Sequence, residues 1–247
     1  MNLDFSNKTV IITGGTRGIG AAIMNNFCNA GANVVITGTK KPEDVITDSP
    51  NHRHNIQYHK LDFSDNKSVK EFINVINKLN KIDVLINNAG VNKVETITEI
   101  SLDDWDWINA VNLRGPFILT QAVSKKMKDQ NFGNIVNIAS IFGIVSKQKR
   151  ASYSSTKWGL IGFTKAVALD MAPFNVHVNA VSPGFVDTEL TREILGPKSI
   201  KKLGKTIPQG RIAKPDEIAN VVLFLCSDLN TYITGQNIVV DGGFTSA

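Results

Sequence analysis

The sequence predicts an α/β protein built on a doubly wound, mostly parallel sheet. Three observations carry that expectation. Short β-branched runs alternate along the whole chain with longer amphipathic stretches, the pattern of repeated strand–helix–strand units joined by right-handed crossovers. The first two runs, VII within 9–13 and VVI within 33–37, are continuously apolar rather than alternating, as strands covered on both faces are. A glycine-rich turn, TGGTRGIG, separates the first run from the first amphipathic stretch.

Seven strands are expected, at 9–13, 33–37, 56–61, 84–87, 134–138, 176–181 and 237–240. The first helix, 18–29, places Ile19, Ile23 and Phe27 at four-residue spacing and stops at Ala30-Gly31, where glycine suits a helix C-terminus. The second, 64–78, carries Val69, Phe72, Ile73 and Ile76; a third, 152–171, carries Leu160, Phe163, Val167 and Met171. The last, 215–225, opens on Pro215 with Asp216 and Glu217 in its first turn, where a missing N–H costs nothing and negative charge is favoured.

At 247 residues with 42% hydrophobic and 20% charged side chains, the chain can bury a sizeable core. With no linker, repeat or low-complexity tract, 1–247 reads as one domain. Cys28 and Cys226 are too few for a disulfide scaffold, and each sits in an apolar segment, so buried free thiols in a reducing, cytoplasmic compartment are expected. The N-terminus lacks the basic stretch and apolar core of a secretory signal. No apolar run approaches the ~20 residues of a membrane span. Lys and Arg number 27 against 22 Asp and Glu, net +5. That excess is spread in small groups at 40–41, 125–128, 147–150 and 198–205, unlike the concentrated face of a nucleic-acid binder. Neither nucleic acid nor membrane is an expected partner, and no metal site is expected.

In the turn, Gly14, Gly18 and Gly20 are the outer glycines of a T-G-x-x-x-G-x-G pattern. Glycine is required where the chain turns with positive φ, where backbone approaches a pyrophosphate and where helix meets strand closely. The following helix points free N–H groups at the phosphates. Gly14, Thr16, Arg17, Gly18, Ile19 and Gly20 are therefore cofactor-binding candidates. A dinucleotide fold selective for NAD places an acid at the end of the second strand, to hold the ribose hydroxyls. Here that strand reads VVITGTKK, Gly38 takes the acidic position, and Arg17, Thr39 and Lys40 stand nearby. Two of these are cations that would attract a 2′-phosphate, so NADP(H) is favoured over NAD(H).

YSSTK places Tyr153 and Lys157 four residues apart, on one helical face. Alone that spacing is weak. It gains weight from Ser140 at the end of IVNIAS, Asn112 in AVNLRG, and NNAG at 87–90 after another strand, all near strand ends where an open α/β sheet binds ligands. With SPGFVDT at 182–188 and ITGQNIVVDGG at 233–243, these motifs resemble, in order and spacing, the short-chain dehydrogenase/reductase family from Thr9 to Gly243.

The resemblance implies a doubly wound Rossmann fold. Its seven-stranded parallel sheet would run 3-2-1-4-5-6-7, flanked by helices on both faces. It implies a catalytic tetrad of Asn112, Ser140, Tyr153 and Lys157. Asp62 would meet the adenine; Asn88, Ala89 and Gly90 the adenosine half; and Pro183, Gly184, Val186 and Thr188 the carboxamide and pyrophosphate side. Tyr153 would exchange a proton with the substrate oxygen as hydride passes between the nicotinamide and a carbonyl carbon, and Ser140 would hold that oxygen. Lys157 would also bond the nicotinamide ribose, and Asn112 would steady a water in a proton relay.

Lowering a phenol from about 10 to ~7 needs roughly 4 kcal/mol. An ammonium at an assumed ~5 Å and an effective dielectric of ~20 supplies roughly 3.3 kcal/mol. Lys157 is therefore expected to do most of that work. A dinucleotide-sensing regulator without catalysis is disfavoured because Ser140, Tyr153 and Lys157 are all present.

Two segments are expected to line the substrate pocket: 141–152, and 188–211 as a lid, its glycines and prolines suiting a segment that rearranges. Length and termini most resemble 3-oxoacyl-(acyl-carrier-protein) reductases, so an acyl-thioester or other small-molecule substrate is expected. Those reductases greet the carrier with cations where this chain has Asn131 and Phe174, although Lys125, Lys126 and Lys128 stand close by. Lys147, Lys149 and Arg150 precede Tyr153 and would suit an anionic substrate such as a phosphorylated sugar or a carboxylate, or else simply face water; a sugar or other small anionic secondary alcohol is the alternative substrate. The family resemblance further implies a homotetramer joined through the Tyr153 helix and the C-terminal elements.

Overall fold

The computed structural model describes residues 3–44 and 55–247, without the side chains of 44, 190 and 194–198. Its frame is a seven-stranded sheet of order β3-β2-β1-β4-β5-β6-β7. The strands are β1 (Thr9–Ile12), β2 (Asn33–Gly38), β3 (Ile56–Lys60), β4 (Val84–Asn87), β5 (Gly133–Ile138), β6 (Val176–Pro183) and β7 (Asn237–Val240). Every neighbouring pair is parallel. The helices are α1 (Gly18–Asn29), α2 (Asn66–Lys78), α3 (Leu102–Asn109), α4 (Gly115–Gln130), α5 (Ala151–Met171), α6 (Glu189–Gly204) and α7 (Pro215–Cys226).

The continuous apolar runs have the reason expected of them. Val10 and Ile12 of β1, with Val34 and Ile36 of β2, pack against Ile23 and Phe27 of α1 and Ile218 and Val222 of α7. Ile11 and Val35, pointing the other way, pack with Phe72 and Ile76 of α2 and Leu119 and Val123 of α4. Successive strand side chains alternate faces, so a sheet clothed on both sides needs apolar residues at every position. Gly31, at φ +89°, ends α1, and Asp65, Ser101 and Thr188 cap α2, α3 and α6 by accepting a backbone N–H.

A polar layer runs through one of these cores. Asn87 Nδ2 of β4 donates to Asn137 Oδ1 of β5 at 2.8 Å and to Thr120 of α4 at 3.2 Å. Asn137 in turn donates to Thr164 of α5 at 2.9 Å. Such groups are stable inside only with partners in place, so the layer fixes how α5, which carries Tyr153 and Lys157, lies on the strands.

One omission is filled here, and one segment takes a definite form. The region 102–130 was not predicted as helical, yet it forms α3 and α4, joined by a π-helical segment, Ala110–Arg114. Its half-exposed Trp105 and Trp107 spoil any simple apolar stripe. The expected lid at 188–211 consists mostly of α6, capped by Thr188, whose Oγ1 accepts from the Thr191 N–H at 3.2 Å. Both cysteines are free and buried, and burial pushes the Cys28 thiol up to about 11.

Candidate functional site

The strand order reverses between β1 and β4, and in open α/β sheets ligands lie at such a switch point, beyond the carboxyl ends of the strands. A cavity of about 950 Å³ opens there. One flank is the turn after β1. Gly14 and Gly18 sit at φ +64° and +54°, conformations costly for any residue with a Cβ. A Cβ on Gly20 would run into the Gly14 carbonyl oxygen. Asn88 clamps the turn, its Nδ2 donating to the Thr13 and Gly14 carbonyls at 2.9 and 3.0 Å. Thr13 Oγ1 accepts from the Asn88 and Ala89 N–H groups at 3.0 and 2.9 Å. Arg17 occupies the N-cap position of α1 without a side-chain cap bond, so the α1 N–H groups stay available to an anion. Thr16, Arg17 and Ile19 line the cavity beside these glycines.

Around the end of β2 the structure separates the expected residues. Thr39 lines the cavity and Lys40 does not. What Lys40 contributes is its carbonyl, which accepts from the Tyr58 hydroxyl at 2.7 Å, while its side chain is exposed. Lys40 thus stands outside this lining, with its backbone tied to Tyr58. A Cβ on Gly38 would stand 3.0 Å from the Tyr58 hydroxyl, so Tyr58 crowds the place an acid would need. Asp62 lines the cavity and accepts from the Ser64 N–H at 2.9 Å.

Asn88, Ala89 and Gly90 form the middle of the wall, with Pro183, Gly184, Val186 and Thr188 across from them. A Cβ on Gly18 would lie 3.3 Å from the Thr188 methyl, so the turn after β1 and the start of α6 face each other. The Gly184 N–H donates to the Val240 carbonyl at 2.9 Å, tying this wall to β7.

At the far end stand Ser140, Tyr153 and Lys157. Ser140 follows β5 and caps the short turn Ile141–Gly143, accepting from the Phe142 N–H at 3.1 Å, and it is also hydrogen-bonded to the Tyr153 phenol. Lys157 Nζ donates to the Ile138 carbonyl at 2.8 Å and stands 5.6 Å from the centre of the Tyr153 ring. Burial pushes the phenol above its ordinary range, with the Ser140 hydrogen bond and the Arg150 charge pulling the other way. Burial also brings the Lys157 ammonium down to about 8. The expected net lowering of the phenol is not seen here: desolvation outweighs the Arg150 charge, and Lys157, itself desolvated, stands beside the ring.

Asn112 is fully buried, one layer behind the cavity wall, inside the π-helical segment. Its Oδ1 accepts from the Val91 N–H at 2.8 Å, and its Nδ2 donates to the Val91 carbonyl at 2.9 Å and to Thr156 at 3.2 Å. A Cβ on Gly90 would lie 3.6 Å from both Asn112 Oδ1 and Lys157 Nζ. Asn112 is thus a strut between α5 and the loop following β4. Sequence reasoning passed over Thr156, its partner, although Thr156 lies inside YSSTK.

The basic segment before Tyr153 also divides. Lys147 and Arg150 line the cavity, joined by Lys202 of α6 and by Phe142, Phe185 and Trp107. Lys149, at φ +64°, is exposed and outside the lining. Near Asn131 and Phe174, Lys126 donates to the Asn77 and Leu79 carbonyls at the end of α2, and Lys128 lies 4.4 Å over the Phe174 ring. Among the described residues no group of three or more His, Cys, Asp or Glu could hold a metal, and no described helix is long and apolar enough to cross a membrane.

A family model described as enoyl-(acyl carrier protein) reductase matches residues 14–245. The chain is 41% identical over 247 residues to 3-oxoacyl-(acyl-carrier-protein) reductase FabG of Aquifex aeolicus, covering 98% of this chain and 99% of that protein. Among solved structures, ElxO with NADP bound superposes with a TM-score of 0.90 at 31% identity, over 97% and 99% of the two chains. A gluconate 5-dehydrogenase from Burkholderia cenocepacia in complex with NADP and tartrate superposes at 0.91 and 30%, over 100% and 98%.

Proposed function

Because the chain belongs to the short-chain dehydrogenase/reductase family, we propose that it is an NADP(H)-dependent oxidoreductase of the 3-oxoacyl reductase type, interconverting a ketone and a secondary alcohol. The observation that carries this reading is the meeting of Ser140, Tyr153 and Lys157 at one end of a cavity whose other end is the glycine turn of β1–α1. The chain reads as a single catalytic domain, with α6 as its lid.

The cavity fits a dinucleotide. Gly14 and Gly18 supply the positive-φ turn, Gly20 the space, and α1 its uncapped N–H groups. Ile19, Thr16, Asn88, Ala89, Gly90, Pro183, Gly184, Val186 and Thr188 would hold the rest, and Asp62 the adenine side. Arg17 and Thr39, with no acid at position 38, favour the 2′-phosphate of NADP(H). The bound cofactor supplies the hydride.

The chain's own residues handle the proton. Tyr153 gives it to the carbonyl oxygen on reduction and takes it back on oxidation. Ser140 donates to the same oxygen and fixes its direction. Lys157, anchored on the Ile138 carbonyl, is placed beside the phenol ring, where its charge, while it holds its proton, would favour the phenolate. Asn112 acts as a positioning residue, bracing Val91 and Thr156.

Exposed Phe117, Trp158 and Leu169 on α4 and α5 support a homotetramer with α5 in its interface. The buried free thiols support a cytoplasmic setting. A second reading, a small anionic secondary alcohol as substrate, is favoured by Lys147, Arg150 and Lys202 in the substrate wall.

An absorbance assay at the nicotinamide band, with NADPH against 3-oxoacyl thioesters, keto-sugar acids and simple ketones, tests both. Turnover of thioesters is expected. Activity confined to keto acids moves the assignment to the second reading, and inactivity on all three classes with intact NADPH binding points to a sensor.

A further inference from the structure

Arg150 stands out in the substrate wall. It donates no side-chain hydrogen bond and forms no ion pair with any described residue, and its Nη1 is sealed from solvent without a partner. A guanidinium carries five N–H donors and no acceptor, and a buried donor left unmade costs free energy that a ligand acceptor recovers. The neighbouring residues explain how it is held there. Lys149 adopts the left-handed region at φ +64°, a conformation unfavourable for lysine, and thereby turns the chain so that Arg150 opens α5. Ser146 and Ser154 are hydrogen-bonded at 2.8 Å across the same loop. The guanidinium carbon lies 5.7 Å from the centre of the Phe142 ring, against which Tyr153 packs edge-on at 6.4 Å.

Arg150 and the phenol are thus neighbours about a single aromatic ring, three residues apart on one helical turn. Both line the same cavity, so a substrate held by Tyr153 would have the guanidinium in its surroundings. The other charged groups lining this part of the cavity are Lys147, Lys157, Lys202 and the exposed Glu189. Cations outnumber acids there, and none of these groups is paired with Arg150.

We propose that Arg150 is a specificity-determining residue that receives a second oxygen acceptor of the substrate, a carboxylate or thioester oxygen a few bonds from the reacting carbonyl. This rests on the reading that a ketone is reduced at Tyr153, and it names the substrate as a 3-oxo acid or its ester rather than an isolated ketone. A carboxylate gains most, because the bond is then charge-assisted at both ends.

The test compares wild type, Arg150→Met and Arg150→Lys on acetoacetate, acetoacetyl-N-acetylcysteamine and 2-pentanone with NADPH, alongside calorimetric binding of acetoacetate to the NADP-loaded protein. Wild type is expected to prefer the 3-oxo compounds. In Arg150→Met the ratio of kcat/KM for the preferred 3-oxo compound to that for 2-pentanone falls about ten- to hundredfold, and Arg150→Lys restores part of it. The larger fall on acetoacetate identifies a carboxylate, and the larger fall on the thioester identifies its carbonyl.

An unchanged ratio, or an equal loss on all three with a displaced pH profile, overturns the proposal and leaves Arg150 acting only through Tyr153. If no ketone is reduced, the functional reading fails. Acetoacetate binding lost in Arg150→Met, with NADPH affinity retained, still supports the anion site, and binding absent from wild type or unaffected by the substitution overturns it.

Discussion

The two ends of the cavity are built on different principles. The end at β1–α1 is made of backbone: glycines at positive φ, N–H groups at a helix start, and Asn88 binding carbonyls. The end at α5 is made of side chains, with Ser140, Tyr153, Lys157, Arg150 and three aromatic rings converging from separate elements. A backbone cradle recognises what all dinucleotides share, whereas a side-chain wall recognises what one substrate has. Substitutions at the first end should act on cofactor affinity and selectivity, and those at the second on chemistry and substrate choice.

The hardest test of that division is Tyr153→Phe. Turnover should fall by about 10²–10⁴-fold while NADPH binding, followed by its fluorescence, survives; loss of both together would erase the distinction between the two ends. Lys157→Met comes next, through pH. In the unfolded chain the lysine keeps its proton to 10.5, and in the fold it loses it at about 8. Between those values the unfolded state binds more protons, so the stability attributable to Lys157 rises with pH from 8 to 10.5. The stability of wild type relative to Lys157→Met should therefore climb by about 3 kcal/mol across that window, measured by denaturant titration at fixed pH values. Parallel curves would show that the ammonium is not desolvated.

At the backbone end, Gly20→Ala forces a methyl against the Gly14 carbonyl. It should cost about 1–3 kcal/mol of stability and weaken NADPH before it touches the chemistry of bound substrate. A normal dissociation constant would mean that the turn yields freely. The smallest effect is expected of Arg17→Ala, which should lower the kcat/KM preference for NADPH over NADH by about tenfold, or about 1.4 kcal/mol. An unchanged ratio would move the selection to Thr39 and the backbone of the Tyr58-tied loop.

What the sequence revealed follows the same division. The glycine turn, the strands and the YSSTK helix were readable because local chemistry dictates them: a Cβ is either tolerated or not, and a strand covered on both faces must be apolar throughout. The sheet order came from resemblance and agrees with the observed one. Residues 102–130 escaped notice because α3 exposes tryptophans where a stripe of apolar residues would face outward, and because a π-helical segment interrupts the period of 3.6. Lys40 and Arg150 show the limit on the site itself. Both were candidate cations near a ligand, and nothing local told that one side chain would face water while the other entered the wall. That was decided by Tyr58 gripping a carbonyl from β3 and by Lys149 turning the chain before α5, both of which are tertiary facts.

Trp107 gives the molecule a built-in optical gauge. Of the three tryptophans it alone lines the cavity, whereas Trp105 and Trp158 lie outside that lining. Indole emission overlaps the absorption of reduced nicotinamide, so filling the cavity should quench Trp107. With Trp107→Phe as the blank, arrival of the cofactor can be timed without attaching a label.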